Sequence, residues 1–405
     1  MTDRWRRRSA AVLLAAWLAA ACAPVPPTAS PATSVASVAS PVASARWIAA
    51  RVDQPAAIEA APTSSPGFCS PCHPVIGTYI DSIVSFRGGF LALGYDQPPS
   101  HAAAWASTDA AAWHRLTSLP APEGSSVIAA VAPGGAAILA VGGSGGAGAV
   151  WRSDDGSSWN LTALPAPPTG ATELLTAVAA TGGGYVAGGY EESATAVKTA
   201  SFWRSADGVA WVRANAELPA GASEVTGIAA VGPASIVAVG IAGDERRGTA
   251  AVWRSTDAGT SWQSVASPTF ASGRMLAVAA SGTGLVAVGE RQDQTGAAAW
   301  FSTDGSTWVS SSGSGLDNGG LEMVMTAVAV EGAGFVAAGW RSDAGNGSAV
   351  VWSSGDGRTW IHLPQDVSFS GAGLASVLAS PRLLVGGTMG WPDTHAAQVW
   401  VGLGG

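Results

Sequence analysis

Few residues in this 405-residue chain are placed to do chemistry, and the densest group is Phe68-Cys69-Ser-Pro-Cys72-His73-Pro74. Two thiols three apart can close a small disulfide, which in an oxidising compartment would staple a Pro-rich loop. The same Cys-x-x-Cys-His spacing can instead take two thioether bonds from the vinyl groups of a c-type haem, with His73 as an axial ligand. A third reading joins these side chains to His101 or His395 around a metal ion, with fewer ligands than a good site requires. We expect the disulfide and no cofactor or metal, with covalent haem as the alternative. Carboxylate pairs for acid and base work at a glycosidic bond could be drawn from Asp96, Glu191, Glu192, Glu290 and Asp343, at separations the sequence does not give. No set of residues stands out as catalytic.

What positions these residues is a repeat. Trp151-Arg-Ser153-Asp-Asp155-Gly156 runs on to Trp159, and the same pattern returns from Trp105, Trp203, Trp253, Trp300 and Trp352. The first Trp of each copy follows the one before it by 46, 52, 50, 47 and 52 residues, and Trp400 comes 48 later. A period near 50 means stacked units that bury a common core. Within each period two apolar runs with a Gly turn between them precede the motif, such as Leu174-Thr-Ala-Val-Ala-Ala and Tyr185-Val-Ala-Gly-Gly. Such runs read as short strands buried on both faces and joined by hairpins. With the Trp-x-Ser strand and the strand opened by the second Trp, each period holds four strands, A to D, which is one propeller blade.

Inner strands begin near Ile80, Val127, Leu174, Val225, Leu276, Met325 and Leu374, so the expected fold is all-β, a single seven-bladed propeller over residues 46–405. Only six D strands follow the seven C-strand Trp residues, because the chain ends at Gly405. Arg46-Trp47-Ile-Ala-Ala-Arg51 looks like Ser158-Trp159-Asn-Leu-Thr and is expected to complete the last blade, leaving no open edge.

The turn between strands C and D resembles the Asp box of neuraminidase-type repeats, Ser-x-Asp-x-Gly-x-Thr-Trp. Ser255-Thr-Asp257-Ala-Gly259-Thr-Ser-Trp262 has its full length, the other copies are one residue shorter, and Ala110 stands where Gly is expected in the first. Asp109, Asp155, Asp207, Asp257, Asp304 and Asp356 are read as turn formers, and Trp113, Trp159, Trp211, Trp262, Trp308 and Trp360 as packing residues. The resemblance implies a sialidase-superfamily propeller with the boxes away from any active site. The chain lacks the Arg-Ile-Pro motif of the sialidases, which have six blades. In layout it is similar to the photosystem II assembly-factor propellers, which implies an anchored protein that binds other proteins.

Arg4, Arg6, Arg7 and Arg8 precede an apolar run from Ala10 to Ala21 that meets Cys22. This reads as a secretory leader, and Leu18-Ala-Ala-Ala21-Cys22 resembles a lipoprotein cleavage site with lipid on Cys22, an ordinary signal peptide being the alternative. Residues 23–45, of Ala, Pro, Ser, Thr and Val, read as a tether, which would place the propeller outside the membrane as an anchored envelope protein. Cleavage would leave 16 basic against 27 acidic residues, with Lys198 the single lysine, so nucleic acid is not an expected partner and a monomer is expected.

From the Trp of strand D to the next strand A takes about 13 to 16 residues, but from Trp47 to Ile80 it takes 33, so residues 53–79 are a surface loop carrying Cys69 and Cys72. That loop and the B-to-C loops should share one face, where Tyr95, Asp96, Tyr190, Glu191, Glu192, Arg246, Arg247, Glu290, Arg291, Trp340, Arg341 and Asp343 gather charge and aromatic rings. The expected function is recognition of a protein or glycan on this face, with an Asp-box glycoside hydrolase of exo-sialidase type as the first alternative and a haem-bearing redox propeller as the second.

Overall fold

A computed structural model describes residues 45–55 and 77–404, apart from 98, 118, 123, 132–136, 168–169, 244–247, 344–345 and 391–394. Each period becomes an antiparallel sheet, and among the described residues there are seven such sheets, the blades of one propeller. The inner strands, A of blades 1 to 7, are Gly77–Phe86, Ser126–Val131, Thr172–Thr181, Ser223–Ala230, Gly273–Ser281, Met323–Glu331 and Ala372–Leu378. Most begin two or three residues before the apolar runs and carry a one-residue bulge, as between Ile80 and Ser82 or Leu175 and Ala177. The bulge re-aims one side chain per blade.

Strands B and C are buried along much of their length, whereas the A strands of blades 5 and 6 are half-buried beyond the bulge and those of blades 3 and 4 stay largely buried there. The expectation that strand A is buried on both faces therefore holds for blades 3 and 4 and only for the first part of the strand in blades 5 and 6. Apolar side chains form seven clusters, each shared by two adjacent blades, and the C-strand Trp105, Trp151, Trp253, Trp300, Trp352 and Trp400 are fully buried within them.

The ring closes as the count of strands requires. Ala45–Ala49 pairs antiparallel with the C-terminal strand Ala396–Gly404, Trp47 opposite Gly402 and Ala49 opposite Trp400. The chain then crosses to blade 1: Arg51–Val52 pairs in parallel with strand D there, and Trp105 Nε1 donates to Asp53 O at 2.8 Å. Other connectors reach the next blade in the same way. Asn215–Ala216 lies parallel to Ser261–Val265, and Trp151, Trp300 and Trp352 donate their indole N–H to Pro120, Thr269 and Gly315 carbonyls at 2.7 to 3.1 Å. Nothing in the residue pattern of the connectors announces this second tie between blades.

At the C-to-D turns the side-chain chemistry is local. Asp155 Oδ1 accepts the N–H of Ser157 at 2.8 Å and of Ser158 at 2.7 Å, while Ser153 Oγ accepts from Gly156, whose φ is +78°. Those backbone donors hold the Asp155 carboxyl below the usual range. Trp308 and Trp360 return an indole N–H to the Gly305 and Gly357 carbonyls. Ala110 takes the same left-handed backbone at φ +66° without being glycine.

Deleting residues 45–52 removes one strand of blade 7 and its stitch to blade 1. Thermal unfolding followed by circular dichroism should show a fall in Tm of more than about 10 °C, and Trp47→Ala alone should cost about 3 kcal/mol. An unchanged Tm would mean that the ring closes without this strand.

Candidate functional site

Antiparallel order puts the D-to-A connectors and B-to-C loops on one face and the A-to-B and Asp-bearing turns on the other. The charged residues expected in the B-to-C loops lie instead on the last rungs of strand B, in Gly89–Gln97, Gly184–Glu192, Gly284–Arg291 and Gly334–Asp343. There most are matched within their own blade or by its neighbour. Asp96 meets both guanidinium nitrogens of Arg115 and accepts from Thr78 Oγ1 at 2.9 Å. Glu191 pairs with Arg213, and Lys198 with Glu224 at 2.7 Å. Glu290 is 3 % exposed and pairs with Arg274. Arg291 stays exposed, 3.5 Å from Asp293. Glu192 pairs through its backbone with Lys198, and Arg341 follows Trp340 on the edge of blade 6. These residues are spread around the ring rather than gathered into a patch. Arg246, Arg247, Cys22, Cys69, Cys72 and His73 lie outside the described residues, as does the Asp343 side chain.

A cavity of about 420 Å³ opens on this face at the junction of blades 6, 7 and 1, and another of about 550 Å³, lined by Arg291, Asp293, Trp300 and Asp317, opens beside blade 5. Blade 1 contributes Tyr79 and Asp81 from its inner strand, blade 6 contributes Glu322, Thr326 and Trp340, and blade 7 contributes His395. Local folding explains their placement. Thr78 N–H donates to His395 O at 2.7 Å, tying the start of blade 1 to the strand of blade 7, and Tyr79 packs between Tyr95 at 4.9 Å and His395 at 5.2 Å. A side chain at Gly77 would strike both Tyr79 and His395, so only glycine lets the strand enter so closely.

Asp81 occupies the bulge of its strand, the position held by Thr176, Thr226 and Thr326 in blades 3, 4 and 6. Those threonines bridge to the next inner strand, Thr226 Oγ1 to Met275 O at 2.8 Å and Thr326 Oγ1 to Leu374 O at 2.6 Å. Asp81 has a carboxylate there. The residue keeps a partial opening to the channel, but its Oδ2 is sealed from water and has no hydrogen-bond partner among the described residues. Burial pushes its pKa up to about 8, so at neutral pH it is mostly a protonated acid. Burial, with the nearby Asp81 charge, raises Tyr95 and Tyr79 above the usual tyrosine range, and burial lowers His395, which is therefore neutral at pH 7. Sequence reasoning missed Asp81, Tyr79 and Glu322. Aligning the periods against one another would have flagged Asp81 as the one acid in a column that otherwise holds Ile128, Thr176, Thr226, Leu276, Thr326 and Ala375.

Among the described residues no three His, Cys, Asp or Glu side chains come together as a metal site; His101 opens strand C of blade 1, and His395 sits in the cavity. No helix there is long and apolar enough to cross a membrane.

The architecture defines a seven-bladed β-propeller. No protein-family model and no curated protein sequence matches the chain. Among solved structures it is similar to a GH74 xyloglucanase from Xanthomonas campestris, at 17 % identity and a TM-score of 0.51, over 87 % of this chain and 55 % of that one. It is also similar to YCF48 bound to D1 peptide, at 16 % identity and a TM-score of 0.47, over 89 % and 97 % of the two chains. A Trypanosoma rangeli sialidase gives 16 % identity and a TM-score of 0.44 over 87 % and 59 %. At these identities the likeness is one of fold alone.

Replacing Asp81 by Asn tests its placement. A carboxyl whose folded pKa lies above its unfolded value loses stability as pH rises through the interval between them, here from about 4 to about 8. Asp81→Asn should match the parent near pH 4 and be more stable by about 5 kcal/mol at pH 9, at about 1.4 kcal/mol for each of roughly four pH units, measured by urea unfolding at each pH. A pH-independent difference would mean that Asp81 ionises freely.

Proposed function

We propose that this chain is a binding propeller that takes its ligand on the B-to-C face, centred on the cavity between blades 6, 7 and 1. The observation that carries this reading is Asp81, part-open to a cavity that Tyr79 and Trp340 also line, with its Oδ2 buried and without a partner among the described residues. Concave, aromatic-lined sites with one or two convergent polar groups are where proteins bind ligands. Among the described residues of that face Asp96, Glu191, Glu224 and Glu290 are each matched by a cation.

Hydrolysis is the less supported reading. An acidic sugar needs cationic partners, and none of the described residues lining the cavity is an arginine or a lysine. Of the carboxylates considered for glycosidic chemistry, Asp96, Glu191 and Glu290 are committed to arginines. We further propose, from the leader and Cys22, that the propeller is an exported lipoprotein whose N-terminal tether holds it at an envelope membrane, and that Cys69 and Cys72 form a disulfide.

The test is affinity capture from envelope extract with the parent, Trp340→Ala and Arg358→Ala, the last on the opposite face, alongside a panel of chromogenic glycosides. Capture of one defined species should fall at least tenfold in Trp340→Ala and be unchanged in Arg358→Ala, with no glycoside turned over. Turnover that vanishes with Trp340→Ala would overturn the binding reading, and capture indifferent to Trp340 would move the site.

A further inference from the structure

Corresponding rungs of different blades assign a ligand class to this cavity. Between blades 3 and 4 the molecule holds an ammonium of its own. Lys198 Nζ sits 4.4 Å from the centre of the Tyr190 ring and 2.7 Å from Glu224 Oε2. Tyr190 follows Gly189 on strand B, Lys198 is the strand-C residue opposite Glu192, and Glu224 lies one residue before Val225, which precedes the bulge of the next inner strand.

The same three positions between blades 6 and 7 are Trp340, Gly347 and Gly373. Trp340 follows Gly339, Gly347 is opposite Ser342, and Gly373 lies one residue before Leu374, which precedes the bulge of blade 7. All three line the cavity. The aromatic wall is thus retained and enlarged, while the lysine and its glutamate are both replaced by glycine. Between blades 7 and 1 the corresponding positions of lysine and glutamate hold His395 and Tyr79, which pack together at 5.2 Å and close off that side. Acid is supplied from elsewhere, by Asp81 of blade 1 and Glu322 of the connector into blade 6. No lysine or arginine is among the described lining residues.

We propose that the cavity binds an organic cation, an alkylammonium group such as a lysine side chain or its methylated form, against the face of Trp340 with Asp81 as counter-ion. This rests on the binding reading of the same site and names its ligand chemistry. Aromatic walls attract cations through the ring quadrupole, most strongly where water is excluded, and a buried acid facing the ligand adds a charge that ionises when the cation arrives. The titratable groups around Asp81 are Tyr79 and Tyr95 of blade 1, whose titration its charge affects, and His395 of blade 7 and Glu322 of blade 6, which line the same cavity.

Titration of the full chain with tetramethylammonium chloride, followed by isothermal calorimetry and tryptophan fluorescence, tests this, with 3,3-dimethylbutan-1-ol as the uncharged isostere and cellobiose as a neutral sugar. Saturable binding of tetramethylammonium is expected, at least tenfold tighter than the isostere, reduced at least tenfold in Trp340→Ala and abolished in Gly347→Lys, which returns the chain's own ammonium to the slot. Affinity should rise several-fold from pH 6 to pH 9 and lose that dependence in Asp81→Asn, a variant that keeps the site's shape should Gly347→Lys fail to fold. Equal binding of the uncharged isostere, or binding of cellobiose alone, would overturn the cation while leaving a Trp340-dependent site in place. Failure of every probe to bind while capture stays Trp340-dependent would also overturn it. Capture that ignores Trp340 would sink the binding reading itself.

Discussion

A sheet that is apolar on both faces cannot stand alone in water, and every other feature of this molecule follows from covering those faces. The central rungs of strands B and C are buried in each blade where the side chains are described, so each blade needs a neighbour on both sides. Only a ring supplies seven interfaces for seven blades, and the seven shared clusters, most with a buried C-strand Trp at their centre, are those interfaces. A ring built from one chain has a seam, and the seam is where covalent continuity is missing. Pairing the strand at Trp47 with the strand at Trp400 puts both ends of the propeller into one sheet, so opening the ring means breaking a ladder rather than parting two surfaces.

Most of that arrangement is legible in the amino-acid sequence. Trp, Ser, Asp and Gly recur because burial between sheets, a side-chain-capped turn and a left-handed backbone position are each satisfied by few residue types. Trp47 betrays the closing strand because it meets the same demands as Trp159. The connectors are not legible. Their hold on the next blade is made by backbone pairing and by indole donors to carbonyls, which place no demand on connector side chains, so Asp53, Pro120 and Gly315 share no residue type. The bulges are hidden for a similar reason: an extra residue leaves alternation intact on either side and shows itself only when periods are overlaid.

The candidate site is partly legible. Charge and aromatic rings at the ends of strand B are visible as a class, and Trp340 and Tyr95 are among them. Sequence offers no way to see that Asp96, Glu191 and Glu290 are tied to Arg115, Arg213 and Arg274, because partners 16 to 22 residues away meet only through the ladder. Asp81 escapes notice because it interrupts an apolar strand once, as surface residues do. In a repeat protein the useful signal is departure from the column, and Asp81, the one acid among the residues at the seven bulges, is such a departure and lines the cavity.

The chemistry of that cavity turns on a competition. A buried carboxyl without a partner must be neutralised, either by a proton or by a cation that replaces it. Burial favours the proton at Asp81. What occupies the cavity is set first by the groups that line it. A ligand that brings positive charge and can lie against an indole displaces that proton, whereas an anion meets two acids and no cation. Selectivity for charge sign is therefore built into this junction by what its walls lack as much as by what they carry.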